Sequence, residues 1–182
     1  MTRLKCILAS MALSLALVSI GLVTCVSAQS SRSETAASYL ERGAKSLAKG
    51  DERRAIADFE LAIATDPSRA GTWLARASVY LRQKRLEEAE RDLNKALSID
   101  PHLTAALNDR GVLKHLRDDL TGAMEDYDTA IRIKPDFAKA LMNRGILRLE
   151  MGLNADAEGD FAEAVRIDPR LRTVLTRFRQ SN

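Results

Sequence analysis

The sequence predicts an all-α fold made of four tandem helix–turn–helix repeats, and two regularities support this prediction. The first is the spacing of the prolines, which lie 34 residues apart at Pro67, Pro101, Pro135 and Pro169. Proline cannot continue a helix, so a proline at the same place in each unit marks the end of the unit's second helix. The second is that small, large and charged residues recur with the same period.

Taking each proline as position 32 of a unit places the repeats at residues 36–69, 70–103, 104–137 and 138–171. Alanine then occupies positions 20 and 27 of every unit, position 8 is always small and position 24 is always large. These columns are Ala55, Ala89, Ala123 and Ala157; Ala62, Ala96, Ala130 and Ala164; Gly43, Ala77, Gly111 and Gly145; and Phe59, Leu93, Tyr127 and Phe161. Small residues let two helices approach and large ones fill the space between them.

This pattern resembles the tetratricopeptide repeat family, over residues 36–171 and without insertion or deletion. The resemblance implies a right-handed α-solenoid with an extended concave face for binding. We expect each first helix at about positions 2 to 14 and each second helix at about positions 17 to 29. Turn residues such as Gly50, Asp118 and Gly152 support that division. Residues 172–182 are predicted to form a helix that caps the last repeat, with Leu171, Val174, Leu175 and Phe178 on its apolar face.

The segment before the repeats has the composition of an export signal. Arg3 and Lys5 are followed by an uncharged run that reaches Ala28. We predict that residues 1–28 are a secretory signal peptide cleaved after Ala28, and that residues 29–35 form a polar leader. The alternative is a retained membrane anchor, because the uncharged run is long enough to span a bilayer. The expected location is therefore periplasmic or secreted, or inner-membrane anchored if the segment is kept.

Composition argues against several classes of function. Both cysteines, Cys6 and Cys25, lie in the predicted signal peptide, so the remaining chain offers no thiol nucleophile and no cysteine-bound metal. Without Arg3 and Lys5 the chain has 26 basic and 25 acidic side chains, interleaved through every repeat. Nucleic-acid binders usually carry a clustered basic face, so we expect no nucleic-acid partner.

Two columns are charged in every unit. Arginine occupies position 7 and aspartate position 23, always 16 residues apart: Arg42 and Asp58, Arg76 and Asp92, Arg110 and Asp126, Arg144 and Asp160. The two positions lie at the same height of an antiparallel helix pair, so we predict a structural ion pair in each unit. The alternative is a row of arginines that binds an acidic ligand. Arginine at position 7 departs from the family pattern, which more often has leucine there.

The resemblance implies that positions 2, 5, 9 and 12 of each first helix face the concave side. Ten residues on these positions are candidates for partner binding: Leu40, Leu74, Ser78, Asn108, Val112, His115, Lys139, Met142, Ile146 and Leu149. A mostly apolar surface of this kind suits a partner helix or an extended segment with hydrophobic anchors. The alternative is that many of these side chains pack against neighbouring helices.

One branch of the family grips a C-terminal carboxylate through Lys and Asn residues at set positions. Repeats one to three place Leu40, Ala44, Ala75, Ala105 and Asp109 there, and the next frame matches only at Lys139. The carboxylate-binding set is therefore absent.

Catalytic and metal-binding patterns are also missing from the sequence. The two histidines, His102 and His115, lack metal spacing, and there is no phosphate loop or nucleophile motif. We predict no enzymatic activity, no cofactor and no small-molecule substrate. The predicted function is a protein or peptide adaptor of the cell envelope, with a membrane-tethered assembly scaffold as the alternative. Self-association is a further open alternative.

Overall fold

A computed structural model describes residue 32 and residues 34–181, which form two compact units that divide after Pro67. The predicted signal peptide, residues 1–28, lies outside the described residues, as does most of the leader. The described part of the first unit is one helix pair, α1 over residues 34–48 and α2 over Glu52–Thr65. This pair corresponds to the first predicted repeat.

The second unit, from Ser68 onward, contains three helix pairs and a final helix. Their bounds are α3 Ala70–Arg82, α4 Leu86–Ile99, α5 Thr104–Leu116, α6 Leu120–Ile133, α7 Ala138–Glu150, α8 Asn154–Ile167 and α9 Leu171–Ser181. Each first helix packs on the second helix of its own pair, and α5 contacts both α3 and α7. Throughout the described residues, the regular secondary structure is helical, which confirms the predicted all-α repeat fold.

Each second helix ends two residues before the proline that the sequence places there, and one capping residue lies between them. The capping residues Asp66, Asp100 and Asp168 have extended backbone angles, and their N–H groups bond the carbonyl four residues back. A residue before proline avoids the helical region, because the proline ring clashes with its backbone. The repeated proline therefore ends the helix in the way the spacing predicts.

The turn inside each pair uses a left-handed residue at position 15 of every unit. The φ angles are 80° at Gly50, 57° at Lys84, 64° at Asp118 and 79° at Gly152. Glycine adopts this conformation without steric cost, whereas other L-residues pay for it. The turn geometry is thus the same in each unit although only two of the four residues are glycine.

The core is made by the small and large columns identified from the sequence. The alanines at positions 20 and 27 are fully buried, and Phe59, Tyr127 and Phe161 are at most 1% exposed. A Cβ atom on Gly145 would lie 2.6 Å from Phe161 Cε1, and one on Gly111 would lie 2.5 Å from Tyr127 Cε1. The small residue at position 8 is therefore required by the ring at position 24. The second repeat, which has Leu93 in place of a ring, carries alanine at position 8.

Helix α9 packs on the end of the last helix pair. Leu171 and Leu175 contact the apolar cluster formed by α7 and α8. Val174, which we expected on the same face, is 51% exposed, so the packed part of the apolar face of α9 is narrower than predicted. Arg179 of α9 also bonds Glu158 of α8. Within the described residues no helix is long and apolar enough to cross a membrane.

Candidate functional site

The repeated arginines and aspartates bond each other within each helix pair; the aspartates are buried, and the arginine side chains range from 15% exposed at Arg144 to 56% at Arg42. In the second unit, Arg76 Nε and Nη2 donate to the two oxygens of Asp92 at 2.7 and 2.8 Å. The same two-pronged contact joins Arg110 to Asp126 and Arg144 to Asp160. In the first unit both donors of Arg42 contact Asp58 Oδ1.

All four aspartates are buried, and each arginine is already engaged with one of them. Each guanidinium thus commits its Nε and Nη2 donors to a buried carboxylate, which compensates the arginine's charge within the helix pair. The structure therefore favours the structural interpretation of these two columns over the row of ligand-binding arginines.

A groove of about 490 Å³ crosses the first helices of the second unit. Helix α3 contributes Leu74 and Ser78, and α5 contributes Ala105, Asn108 and Asp109. The remaining walls come from the turn before α7 and the first residues of α7, from the end of α8, and from the segment between α8 and α9: Asp136, Phe137, Ala138, Lys139, Ile167, Asp168 and Arg170. We call this surface the α3–α5–α7 groove.

A chain of polar side chains crosses the floor of the α3–α5–α7 groove. Ser78 Oγ donates to Asp109 Oδ2 at 2.7 Å, and Asn108 Nδ2 donates to Asp109 Oδ1 at 3.1 Å. Asn143 Nδ2 of α7 in turn donates to Asn108 Oδ1 at 2.8 Å. The network links three successive first helices, and it fixes the orientation of the Asp109 carboxylate.

Among the described residues, some charged side chains of the groove form ion pairs and others do not. Asp168 and Arg170 bond each other through two contacts of 2.8 and 3.0 Å. Burial raises the pKa of Asp109, an effect opposed by its bonds to Ser78 and Asn108 and by the charge of Lys139. Within the described residues the Asp109 carboxylate forms no ion pair, so it is a partly buried negative charge with only neutral hydrogen-bond donors.

Four of the ten predicted binding residues line this groove, namely Leu74, Ser78, Asn108 and Lys139. Of these, Asn108 is only 5% exposed, and its side-chain amide contributes to the groove through its hydrogen bonds with Asp109 and Asn143. Leu40 belongs to the first unit and is half-buried there.

The other five predicted residues have different surroundings. Met142 is buried, and Ile146 and Leu149 pack against the same cluster that Leu171 and Leu175 of α9 contact. Val112 packs against a cluster of Ala123, Tyr127 and Leu147, and His115 Nε2 lies 2.6 Å from Glu150 Oε2. Met142, Ile146, Leu149 and Val112 therefore pack between helices and are not among the residues that line the groove, and their role in partner binding stays a prediction.

The sequence interpretation missed Asp109, Phe137 and Ile167. Asp109 is at position 6, one residue beyond the positions that we assigned to the concave face, and Phe137 is the last residue of its unit. Position 6 holds Glu41, Ala75 and Asn143 in the other three units, so the residue type varies along this column, and that variation was the signal available for Asp109. In the part of the chain that the structure describes, no three His, Cys, Asp or Glu residues are grouped so that they could hold a metal ion.

Helix pairs that stack in chain order and line a groove with their first helices define a repeat-built interaction module. Two family profiles, both described as tetratricopeptide repeat, match residues 70–103 and 117–171. The chain therefore contains tetratricopeptide repeats. No curated protein sequence gives a significant match to this chain.

Several solved structures are similar to this chain. PilF of Pseudomonas aeruginosa aligns with a TM-score of 0.70 at 24% identity, over 76% of this chain and 64% of that one, which supports the fold alone. The second TPR of Spaghetti (RPAP3) bound to the HSP90 peptide SRMEEVD aligns with a TM-score of 0.60 at 30% identity, over 63% and 99%. The second TPR domain of human RPAP3, in complex with the HSP70 peptide SGPTIEEVD, aligns with a TM-score of 0.60 at 27% identity, over 64% and 98%.

Proposed function

We propose that this chain is a non-catalytic interaction module that binds a protein or peptide segment in the α3–α5–α7 groove. The observation that carries the proposal is the combination of exposed apolar surface and oriented polar groups in that groove. Leu74, Phe137 and Ile167 line it next to Ser78 and Asp109, whose positions are fixed by hydrogen bonds. Apolar anchors with a few oriented polar groups are the usual composition of a site for a peptide ligand.

The comparisons support a peptide as the type of ligand. Two of the similar structures, the RPAP3 domains, hold peptides from HSP90 and HSP70. Those peptides end in Glu-Glu-Val-Asp and are acidic. The groove of this chain carries Asp109 and Asp136 and lacks the carboxylate-binding set of the family. We therefore propose that this chain binds a peptide segment, but not the acidic peptides that the RPAP3 domains bind.

The test of this proposal is whether partner capture depends on the groove. The tagged protein is used to capture partners from envelope extract, in parallel with Leu74→Asp and with Leu116→Asp. Leu116 ends α5 and is 56% exposed outside the groove, so its variant is a matched control for a new surface charge. We expect Leu74→Asp to lose partners that Leu116→Asp retains. Equal partner lists for both variants would contradict the groove as the binding site.

We also propose that the module works outside the cytoplasm. The motivation is the sequence of residues 1–28, where two basic residues precede an uncharged run that ends in small residues. N-terminal sequencing of the protein from its host separates two versions of this proposal. A start at Gln29 supports a released periplasmic or secreted adaptor, and an intact Met1 supports a membrane-tethered scaffold. Detection of the protein only in the cytoplasm would contradict both.

A further inference from the structure

We propose that the α3–α5–α7 groove selects a segment with a lysine or arginine side chain that pairs with Asp109, flanked by apolar side chains. This specificity rests on the proposed function, since it assigns a ligand chemistry to the same groove. It also distinguishes this chain from the RPAP3 domains, whose bound peptides are acidic.

In the part of the chain that the structure describes, Asp109, which is partly buried, lacks the counterion that the fully buried aspartates of the second unit have. Asp92, Asp126 and Asp160 each bond an arginine at about 2.7 Å. Asp109 instead accepts bonds from the neutral groups of Ser78 and Asn108. A carboxylate removed from water without a cation is costly, so a ligand that supplies one gains more than it would at an exposed site.

The Asp109 carboxylate can accept further hydrogen bonds. Each of its oxygens accepts one hydrogen bond from the described residues, whereas an ionised carboxylate has about four acceptor positions. The Ser78 and Asn108 contacts hold the group in one orientation, so its free positions do not have to be ordered when a ligand binds. An ammonium or guanidinium group matches this pre-arranged acceptor.

The other charged side chains of the groove leave it with a net negative charge. The Arg170 guanidinium is held by Asp168, which leaves Asp136 as a second carboxylate without an ion pair among the described residues. Lys139 lies near enough to Asp109 for its charge to act on it, but its exposed ammonium does not reach bonding distance. The groove therefore offers a ligand two unpaired carboxylates and one lysine, an excess of negative charge.

The apolar lining defines what flanks the basic side chain. The groove is lined by Leu74 of α3, by Phe137 at the start of α7 and by Ile167 at the end of α8. Aliphatic or aromatic residues next to the lysine or arginine would bury their area against these side chains. The stem of the basic residue is itself apolar and can pack in the same way.

Selection from a displayed library of random heptapeptides tests this specificity. The bait is the full chain, in parallel with Asp109→Asn, Leu74→Asp and the control Glu125→Gln, which removes an exposed carboxylate of α6 outside the groove. We expect the full chain and Glu125→Gln to enrich peptides with a basic residue beside apolar ones. Asp109→Asn should still enrich apolar peptides but without the basic residue.

A measured affinity then gives the size of the effect. Replacing the basic residue of an enriched peptide by norleucine should weaken binding about tenfold to the full chain and by less than about twofold to Asp109→Asn. Lys139→Glu, a change at an exposed position, makes the groove more negative without altering the hydrogen bonds among Ser78, Asp109 and Asn108. It should increase the enrichment of basic peptides.

The outcomes separate this specificity from the function on which it rests. Enrichment of neutral or acidic peptides that depends on Leu74 would contradict the basic specificity and leave the groove function standing. The basic specificity would also be contradicted if Asp109→Asn still enriched peptides with a basic residue and Lys139→Glu did not increase that enrichment. Enrichment that is no greater for the full chain than for Leu74→Asp would contradict the groove function itself.

Discussion

Ser78 donates a hydrogen bond to Asp109 at 2.7 Å and so joins α3 to α5 beneath the groove. Asn143 extends the same network to α7 through Asn108. None of these residues belongs to a column that is constant along the array. The repeated residues build the helix pairs, and residues that differ from repeat to repeat form the groove.

The raised pKa of Asp109 predicts a specific dependence of stability on pH. Its ordinary value is 3.8, and burial raises it in the folded protein. The folded state then holds the proton more tightly than the unfolded state, so the free energy of unfolding falls as pH rises from near 3.8 through the raised value. Below that window the carboxyl is protonated in both states and this loss is absent.

We expect Asp109→Asn to remove this dependence. The free energy of unfolding of the variant, minus that of the parent, should increase across the same window and then become constant. Urea denaturation at a series of pH values measures this difference, and Glu125→Gln supplies the baseline for loss of an exposed carboxylate. A difference that decreases as pH rises would show that the buried charge is stabilised rather than penalised.

We predict that removing the arginine lowers the free energy of unfolding by different amounts in different arginine–aspartate pairs. Asp92 has Arg76 as its cationic partner, whereas Asp160 also receives Arg148 Nη1 at 2.7 Å. Arg76→Ala therefore leaves a buried carboxylate without a cation and should lower the free energy of unfolding by about 3 kcal/mol. Arg144→Ala leaves Arg148 in place and should cost about 1 kcal/mol. Denaturant unfolding of both variants makes the comparison, and equal costs would contradict it.

Two glycines of the last repeat are predicted to respond to alanine with opposite signs. A Cβ on Gly145 would meet the Phe161 ring at 2.6 Å, so Gly145→Ala should destabilise by about 1 to 3 kcal/mol. A Cβ on Gly159 meets nothing within 4 Å. Gly159→Ala should stabilise α8 by about 0.5 to 1 kcal/mol, because alanine loses less backbone entropy. Thermal melts that show the same sign for both would contradict the close packing at position 8.

The hydroxyl of Tyr127 is buried and has no hydrogen-bond partner among the described residues. The equivalent residues, Phe59 and Phe161, carry no hydroxyl at all. Tyr127→Phe should therefore raise the free energy of unfolding by about 1 kcal/mol, and the reverse change Phe161→Tyr should lower it. Denaturant unfolding measures both. A loss of stability in Tyr127→Phe would show instead that the hydroxyl is bonded, for example to a buried water.

The helix pairs could be predicted from the sequence because each depends on contacts within one repeat. The prolines, the small column and the large column all recur at a fixed spacing, and each unit solves the same packing problem. The arginine and aspartate of a unit are brought together by the same local geometry.

The groove was predicted only in part, because it depends on contacts that the period does not encode. Met142 and Ile146 fit the concave positions, but they pack in the cluster that α9 contacts, and α9 lies after the last repeat. Asp109 was missed since its role follows from Ser78 on the preceding first helix, 31 residues earlier in the chain. Such a contact joins different positions of two repeats, so it is not visible when the same position is compared from repeat to repeat.

Site-specific photo-crosslinking in living cells tests the groove function most directly. A photoreactive phenylalanine analogue is placed at Phe137, in the groove, and separately at Leu116, which is exposed outside it. If the groove binds a partner, the analogue at Phe137 should form a discrete adduct with a partner protein. This adduct should be lost in a double variant that also carries Leu74→Asp, and the analogue at Leu116 should form no such adduct. Adducts from Leu116 alone, or an adduct from Phe137 that persists with Leu74→Asp, would contradict binding in the α3–α5–α7 groove.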